Sequence, residues 1–235
     1  MEEKAFRTKK ERAYHCIKES IISGQLKPKE KLIISTIAKQ LGVSEIPVRE
    51  ALQTLVQEGL ADLVPHAGFV VSSLSATDVK EIFELRANLE SMASRMAVRY
   101  LSNMDIEKLA RMVDDSRQFM ETKDFHGYWE MNRALHLELY RHCGNKRLIN
   151  YLNDLYSYSR RFPPYFSHVS ELDKSIAGHE NMIKILEARD EKGIEAYMTD
   201  HCQSSYRHVI RRFVEYFRAN GEDDEALRDF MSHLE

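Results

Sequence analysis

The sequence has few cysteines and no long apolar run. Its three cysteines, Cys16, Cys143 and Cys202, are odd in number and lack metal-ligand spacing, which argues against a disulfide framework. No run of about 18 apolar residues could span a membrane. Residues 1–7 also lack the apolar stretch of a signal peptide. We therefore expect a soluble, cytoplasmic protein without a membrane partner.

A strong positive charge is also absent, because the formal net charge is −3 over 235 residues. This is not the charge of a generic nucleic-acid binder, although residues 1–75 carry a small excess of Lys and Arg over Asp and Glu. The asymmetry permits DNA contact near the N-terminus without demonstrating it. With 43% hydrophobic residues the chain can bury real cores, and its length suits two domains.

Residues 44–60 are the stretch around which the N-terminal part is organised. Ser44 can cap the first free amides of a helix there, and Gly59 can end it. The apolar side chains recur at helical spacing and form one stripe: Val48, Ala51, Leu52 and Leu55. The opposite face is mostly polar: Glu45, Ile46, Arg49 and Gln53. The pattern predicts an amphipathic helix with one fixed cation on its outer face.

The flanking segments favour a winged helix-turn-helix. A short helix over 35–40 and a turn at 41–43 come first, and a second helix after such a turn typically reads DNA in the major groove. A packed helical hairpin with no such use fits these two helices equally well. Two β-prone runs, 61–64 and 69–71, flank a turn at 65–68 and predict a wing, to which 32–34 could add a strand. The wing favours DNA binding.

Residues 11–73 resemble the N-terminal domain of the GntR family of bacterial transcription regulators. The resemblance is carried, in order, by segments 24–32, 38–44, 47–52 and 58–60. It implies a homodimer on double-stranded palindromic operator DNA, with contacts from one set of residues: Ser44, Glu45, Ile46, Arg49, His66 and Gly68. The family usually has Arg and Thr at positions 45 and 46, so its operator preference does not transfer to this chain.

Residues beyond 75 show a helical pattern without β-type alternation. Six helical segments are predicted: 76–100, 104–122, 124–142, 146–161, 171–188 and 191–219. Ser75 with Asp78, and Ser102 with Asp105, have the spacing of capping boxes. We therefore predict a mostly α chain with an N-terminal winged helix-turn-helix and a C-terminal all-α helical-bundle effector domain. Its parts are a flexible arm (1–10), the winged helix (11–73), the helical domain (74–220) and a frayed acidic tail (221–235).

The helical domain resembles the FCD effector domain of one large GntR subfamily, in its smaller six-helix form. The resemblance covers about residues 76–215 and is carried by short segments: 84–86, 89–90, 132–136, 144–145, 179–180, 196–198 and 201. It implies a domain that binds a small molecule and supports dimerisation.

Three histidines on different predicted helices are candidate metal ligands. No local spacing links His136, His179 and His201, and scattered histidines are usually surface or core groups. The FCD resemblance implies a divalent cation on three His and one Asp, the Asp one turn before the first His. Asn132 stands at that position, on the same helix side as His136. Three imidazoles and an oxygen suit zinc or nickel. The alternative is that Asn132 is not a ligand and the pocket holds no metal.

A second set of residues is predicted to bind a small organic acid. Arg86 matches a family position that often faces the pocket, where it could pair with a carboxylate. An intrahelical ion pair with Glu90, four residues on, explains Arg86 equally well. The other candidates are weaker: Arg133, Tyr197 and Ser205.

These features predict a DNA-binding transcription regulator, for example a repressor, whose operator affinity responds to a carboxylated metabolite at a divalent metal. One alternative has a metal-free effector pocket, and another has a C-terminal domain that only dimerises. A metal-dependent enzyme is disfavoured, because no base beside the histidines, no nucleophile motif and no Gly-rich phosphate loop is found.

Overall fold

The computed structural model describes residues 8–22, 25–73, 75–159, 166–220 and 224–233. The chain divides into two compact units, the first ending at residue 74 and the second beginning at residue 75. The predicted class, a winged helix-turn-helix followed by a helical domain, is confirmed. Most of the predicted arm, residues 1–7, lies outside the described residues. Among the described helices, none is long and apolar enough to cross a membrane.

The first unit is a three-helix head with a two-stranded wing. Its elements are α1 (Lys9–Ile22), α2 (Ile34–Leu41), α3 (Glu45–Gln57), β1 (Ala61–Val64) and β2 (Gly68–Val71). The apolar stripe of α3 is fully buried, as predicted: Val48, Ala51, Leu52 and Leu55. It packs against α1, whose Ala13, Ile17 and Ile21 are also buried. Burial of this stripe leaves the outer face of α3 exposed.

Glycines rather than side-chain caps shape the ends of the two central helices. Gly42 after α2 and Gly59 after α3 have φ of 63° and 68°, a left-handed conformation that glycine adopts without strain. Ser44 lies at the N-cap of α3 with extended backbone, but its side chain makes no capping hydrogen bond. The prediction that Ser44 caps this helix is therefore wrong, and its hydroxyl stays available at the exposed helix start.

The wing is a short antiparallel hairpin. Ala61 pairs with Val71 and Val64 with Gly68, so the turn falls at 65–67. The expected third strand at 32–34 is reduced to one bridge between Lys31 and Val70, because the chain enters α2 at Ile34.

The second unit is all-helical. Its helices are α4 (Ala76–Val98), α5 (Asn103–Asp115), α6 (Gln118–Thr122), α7 (Phe125–Arg141), α8 (Lys146–Ser159), α9 (Val169–Glu187), α10 (Glu191–Asn220) and α11 (Asp224–Ser232). Both capping boxes form as predicted, Ser75 with Asp78 and Ser102 with Asp105. α4 packs along α10 and also contacts α7 and α8, so it lies at the centre of the unit.

One predicted helix is divided in two. The segment expected over 104–122 breaks between α5 and α6, at Ser116 and Arg117. Ser116 is buried and its hydroxyl donates to the Val113 carbonyl at 2.5 Å. A serine that hydrogen-bonds to the backbone in this way competes with the helical hydrogen-bond ladder. Sequence periodicity continues across the break and did not indicate it.

The frayed tail predicted over 221–235 is wrong for its central part. Residues 224–232 form α11, and Phe230 on it is 1% exposed. The Phe230 ring stacks on Phe213 of α10 with centroids 4.4 Å apart, and Asp229 accepts a hydrogen bond from the Ala76 amide at 2.8 Å. An apolar anchor and a helix-capping carboxylate thus hold an otherwise acidic segment. Residues 221–223 and 234–235 lie outside the described part.

Replacing Phe230 by Ala should lower the free energy of unfolding by about 3 kcal/mol, because it leaves a cavity between aromatic rings. Urea denaturation followed by circular dichroism measures this change. Met231→Ala is the matched control, since Met231 is 41% exposed on the same helix. The control should change the free energy by less than about 0.5 kcal/mol. Equal, small effects of both substitutions would show that α11 does not pack in solution.

Candidate metal centre and effector cavity

Three histidines from three helices converge inside the second unit. His136 of α7 and His179 of α9 are buried, and His201 of α10 is partly buried. The Nε2 atoms of His136 and His179 are 3.3 Å apart. One ligand nitrogen from each of the three rings lies within 4.8 Å of the others. Among the His, Cys, Asp and Glu side chains of the described residues, these three are close enough together to hold a metal ion.

The spacing of these atoms fits a divalent cation. Two nitrogens bound to zinc at about 2.05 Å with a tetrahedral angle are about 3.3 Å apart. The His136–His179 distance has this value. Asn132, one turn before His136, offers a fourth donor, because its buried Oδ1 has no hydrogen-bond partner among the described residues. The three histidines therefore fit a metal as a set, and Asn132 stays a predicted fourth ligand that lines the same cleft.

The protonation of the histidines also suits metal binding. Burial lowers the pKa of His136 well below its ordinary value, and the nearby His201 and Arg86 act in the same direction. Burial with the other two histidines lowers the pKa of His179 in the same way. Burial lowers the pKa of His201 as well, although Glu90 opposes the shift. Near neutral pH all three rings are uncharged and can donate a lone pair.

An aromatic residue behind the cluster supports His201. Tyr197 stacks on the His201 ring with centroids 5.9 Å apart, and its hydroxyl donates to the Gly178 carbonyl at 2.7 Å. A Cβ at position 178 would stand 3.1 Å from that hydroxyl, so glycine permits the close approach. Tyr197 does not line the cavity described next, and its role as an effector ligand is not supported by its position.

A cleft of about 560 Å³, including its open mouth, is lined by two of the three histidines, His136 and His201. Among the predicted residues, six line it: Arg86, Asn132, Arg133, His136, His201 and Ser205. Trp129 packs on the core and also lines the cleft. Trp129 precedes Asn132 by three residues and His136 by seven, and this spacing predicts that all three lie on one helix face.

Arg86 both lines the cleft and forms the ion pair expected with Glu90. Its Nε donates to Glu90 Oε1 at 2.6 Å, and its guanidinium lies 4.3 Å from the Tyr156 ring centroid and 4.7 Å from that of Phe83. The ion pair with Glu90 is present, and effector binding by Arg86 stays a prediction. Because the guanidinium donates to Glu90 of its own helix, fewer of its N–H groups remain to bind a ligand.

Glu90 was not predicted as a site residue, yet it is a fully buried carboxylate beside the histidines. Besides Arg86, it accepts hydrogen bonds from the hydroxyls of Tyr140 at 2.6 Å and Tyr156 at 3.1 Å. Burial, followed by the Glu90 charge, raises the pKa of both tyrosines well above the ordinary value, so both hydroxyls keep their protons. Nothing in the local sequence shows that three helices meet at this residue.

Arg133 has fewer protein partners than Arg86. Its Nη1 is 3.8 Å from Glu130, and its buried Nε has no hydrogen-bond partner among the described residues. Ser205 lies across the cleft on α10. Arg86 is offset by Glu90 at 2.6 Å and the histidines are neutral, so Arg133, with Glu130 at 3.8 Å, is the cleft-lining cation with the weaker ion pair.

In the first unit, the predicted DNA contacts lie on the open face of α3 and at the wing tip. Ser44, Glu45 and Arg49 are exposed, and Ile46 is 70% exposed. His66 and Gly68 are exposed at the hairpin turn with φ of 61° and 84°. An apolar side chain so open to water at the start of a helix has no packing role within the unit.

Comparison with known proteins agrees with this architecture. Residues 9–71 match the family of bacterial regulatory proteins, gntR family, and residues 81–204 match the FCD domain. The chain belongs to the FCD-domain group of the GntR family and is a transcription regulator. GntR regulators bind operator DNA.

Individual relatives cover most of the chain. The HTH-type transcriptional regulator McbR of Escherichia coli is 28% identical over 203 residues, covering 84% of this chain and 90% of McbR. The HTH-type transcriptional repressor GlaR of the same organism is 25% identical over 197 residues, covering 80% of this chain and 90% of GlaR. The solved E. coli McbR/YncC structure gives a TM-score of 0.71 at 25% identity, covering 88% of this chain and all of that one. These relatives are named as regulators rather than enzymes, in agreement with the prediction.

The buried histidines should make the metal-free protein less stable in acid. Because the pKa of His136 and His179 is lower when folded, the unfolded chain binds more protons below its pKa of about 6.5. The free energy of unfolding should be highest above that pH. Below it, the free energy should fall by up to about 1.4 kcal/mol per pH unit for each histidine. Urea unfolding at pH 7.5, 6.5 and 5.5 measures the slope.

The His179→Gln variant is the control for that slope. It removes one titrating group, so its free energy of unfolding should fall less steeply between pH 6.5 and 5.5 than that of the wild type. An unchanged slope would show that His179 does not titrate on unfolding.

Proposed function

We propose that this regulator senses a small organic anion at a divalent metal in its second unit, and that binding of the anion changes operator affinity. The observation that carries the proposal is the convergence of three neutral imidazoles beside a cleft that Asn132 also lines, with its buried oxygen unpartnered among the described residues. Buried polar atoms are normally paired, so an unpaired oxygen beside the histidines supports a ligand role for Asn132.

The metal ligands would be His136, His179, His201 and Asn132. Zinc or nickel suits this set of imidazole nitrogens and one amide oxygen. When bound, the cation supplies a positive charge and an open coordination position for a ligand oxygen. An amide in place of a carboxylate leaves one negative charge fewer in the site, which weakens cation affinity and favours an anionic effector.

The effector would be a small carboxylate held by the cleft wall. Arg133 offers donors without strong protein partners, and Ser205 offers a hydroxyl on the opposite side. Arg86 would contribute charge from a fixed position rather than a free guanidinium, since Glu90 and Ser159 already accept its hydrogen bonds. A carboxylate that contacts both walls and the metal would favour one packing of α4, α7 and α10.

DNA would be read by the outer face of α3. Arg49 is suited to a guanine edge or a phosphate, and Glu45 could accept a hydrogen bond from a cytosine amino group. His66 at the wing tip could enter the minor groove. The departures at Glu45 and Ile46 would give this chain an operator of its own.

The active form would be a homodimer on a palindromic site. Two reading helices can then contact half-sites about one helical turn apart. Leu85 and Met92, seven residues apart on α4, are 54% and 39% exposed, and Tyr151 of α8 is 62% exposed. Such apolar side chains on packed neighbouring helices are suited to contact a second copy. A ligand-dependent change in helix packing would then alter the spacing of the reading helices. Because GlaR is named a repressor, repression is the outcome we propose.

A metal-free pocket is the second candidate. It is favoured by the Nε2 to Nε2 distance of 3.3 Å between His136 and His179, which is also that of a direct hydrogen bond between the two rings.

Elemental analysis of protein purified without chelator or affinity-tag metal should find about one zinc or nickel per chain. His136→Ala should lose it, because that substitution removes a buried ligand. His168→Ala is the matched control, since His168 is exposed at the start of α9, and it should retain the metal. If the wild type contains no metal and takes up none on addition of zinc, nickel or manganese, the metal-free pocket is correct.

Arg49→Ala should weaken operator binding about 10- to 100-fold, the effect of removing one good base contact. Fluorescence anisotropy on a selected operator at several salt concentrations measures it. Arg111→Ala is the control, because Arg111 is an exposed arginine of the second unit, 65% accessible, and it should bind like the wild type. Equal affinity of both variants would show that α3 does not read the DNA.

A further inference from the structure

A line of polar contacts joins the arginine of the cleft to one of the candidate metal ligands. Arg86 Nε donates to Glu90 Oε1 at 2.6 Å. The other Glu90 oxygen accepts from the Tyr140 hydroxyl at 2.6 Å. The same hydroxyl lies 3.3 Å from His136 Nδ1. All four residues are buried, so water does not substitute for any contact in the line.

The chemistry of the line determines where its hydrogens lie. Glu90 faces the Arg86 guanidinium and is a carboxylate, which can only accept. The Tyr140 hydroxyl therefore gives its single proton to Glu90, and its oxygen presents a lone pair to His136. The Nδ1 of His136 must then carry the proton, because two lone pairs at 3.3 Å would repel. The neutral ring consequently has its lone pair on Nε2, the atom that faces His179.

We propose that Tyr140 is a positioning residue that holds His136 in the Nδ1–H tautomer, with Glu90 behind it as the outer carboxylate of the metal centre. This inference rests on the proposed metal-binding function. A ligand histidine usually donates its second N–H to a carboxylate or carbonyl, which orients the ring and raises its basicity. Here the Tyr140 hydroxyl lies between the Glu90 carboxylate and the His136 ring and hydrogen-bonds to both.

The arrangement connects the site to a carboxylate, Glu90, whose charge is balanced by Arg86. Among the described residues, Glu90 is the one acidic side chain that is buried. It reaches the ligand shell through Tyr140 and the cleft through Arg86. An anion that binds Arg86 would weaken the Arg86–Glu90 ion pair. Through Tyr140 this would also change the polarisation of His136, so effector binding and metal binding would affect each other.

His179 behaves differently from His136. Its buried Nδ1 has no hydrogen-bond partner among the described residues, whereas its Nε2 faces the lone pair of His136 Nε2 at 3.3 Å. Without metal, the Nε2–H tautomer of His179 is therefore the stable one, since it donates to His136. Metal binding must move or displace that proton, while His136 keeps its tautomer.

Tyr156 provides a matched control within the same network. It is buried, donates to the same Glu90 oxygen at 3.1 Å and also contacts the Tyr140 hydroxyl, but among the described residues it has no histidine partner. Tyr156→Phe and Tyr140→Phe each remove one hydroxyl from Glu90 and keep the aromatic ring. Only Tyr140→Phe removes the hydrogen bond to His136.

The first measurement is zinc affinity by competition with a chromophoric chelator, on full-length protein that retains wild-type circular dichroism. Tyr140→Phe should weaken the Kd about 10- to 100-fold, the usual effect of losing an outer-sphere partner. Tyr156→Phe should stay within about threefold of wild type, because it leaves the His136 hydrogen bond intact. Equal affinity of the two variants would overturn the proposal.

The second measurement does not require metal. Long-range nitrogen NMR of metal-free protein labelled with [15N]histidine should show His136 protonated at Nδ1 in the wild type and mixed tautomers in Tyr140→Phe. His136→Gln assigns the signal. A wild-type His136 protonated at Nε2 would overturn the proposal even if zinc binds. If wild-type protein binds no zinc, the proposed function fails, and this spectrum still decides whether Tyr140 fixes the ring.

Discussion

Burying a carboxylate away from water costs free energy unless its charge is neutralised and its oxygens are hydrogen-bonded. Glu90, fully buried in the second unit, is under this constraint. Arg86 of α4, Tyr140 of α7 and Tyr156 of α8 satisfy it together. Removal of any of these donors leaves a buried charge less well satisfied. The packing of α4 with α7 and α8 is therefore fixed by polar contacts as well as by the apolar core.

The same constraint shapes the cleft. α7 contributes Trp129, Asn132, Arg133 and His136 to the cleft and also carries Tyr140. A single helix thus carries cleft wall, candidate metal ligands and the residue that contacts Glu90. Because these groups share one rigid element, a ligand that shifts α7 would act on the metal centre and the ion pair together. This is a physical basis for coupling between effector and helix packing.

Much of the architecture could be predicted from the sequence, because its signals are local. The apolar stripe of α3, the glycines at 42 and 59 and the Ser75 capping box each act within a few residues. What could not be predicted depends on contacts between distant residues. The role of Glu90 and the packing of Phe230 are of this kind, whereas the break at Ser116 is a local contact that the periodicity does not reveal. The histidines came together as the resemblance implied, although no spacing rule connects His136 with His179 and His201.

The most direct test of the central claim is X-ray absorption spectroscopy of the zinc-loaded protein. If the buried histidines and Asn132 form the site, the spectrum should show about three imidazole nitrogens and one or two oxygens at about 2.0–2.2 Å, with the outer-shell scattering of imidazole rings. A carboxylate effector should change the oxygen shell and leave the imidazoles in place. A shell of oxygens without imidazole scattering would place the zinc elsewhere and contradict the account.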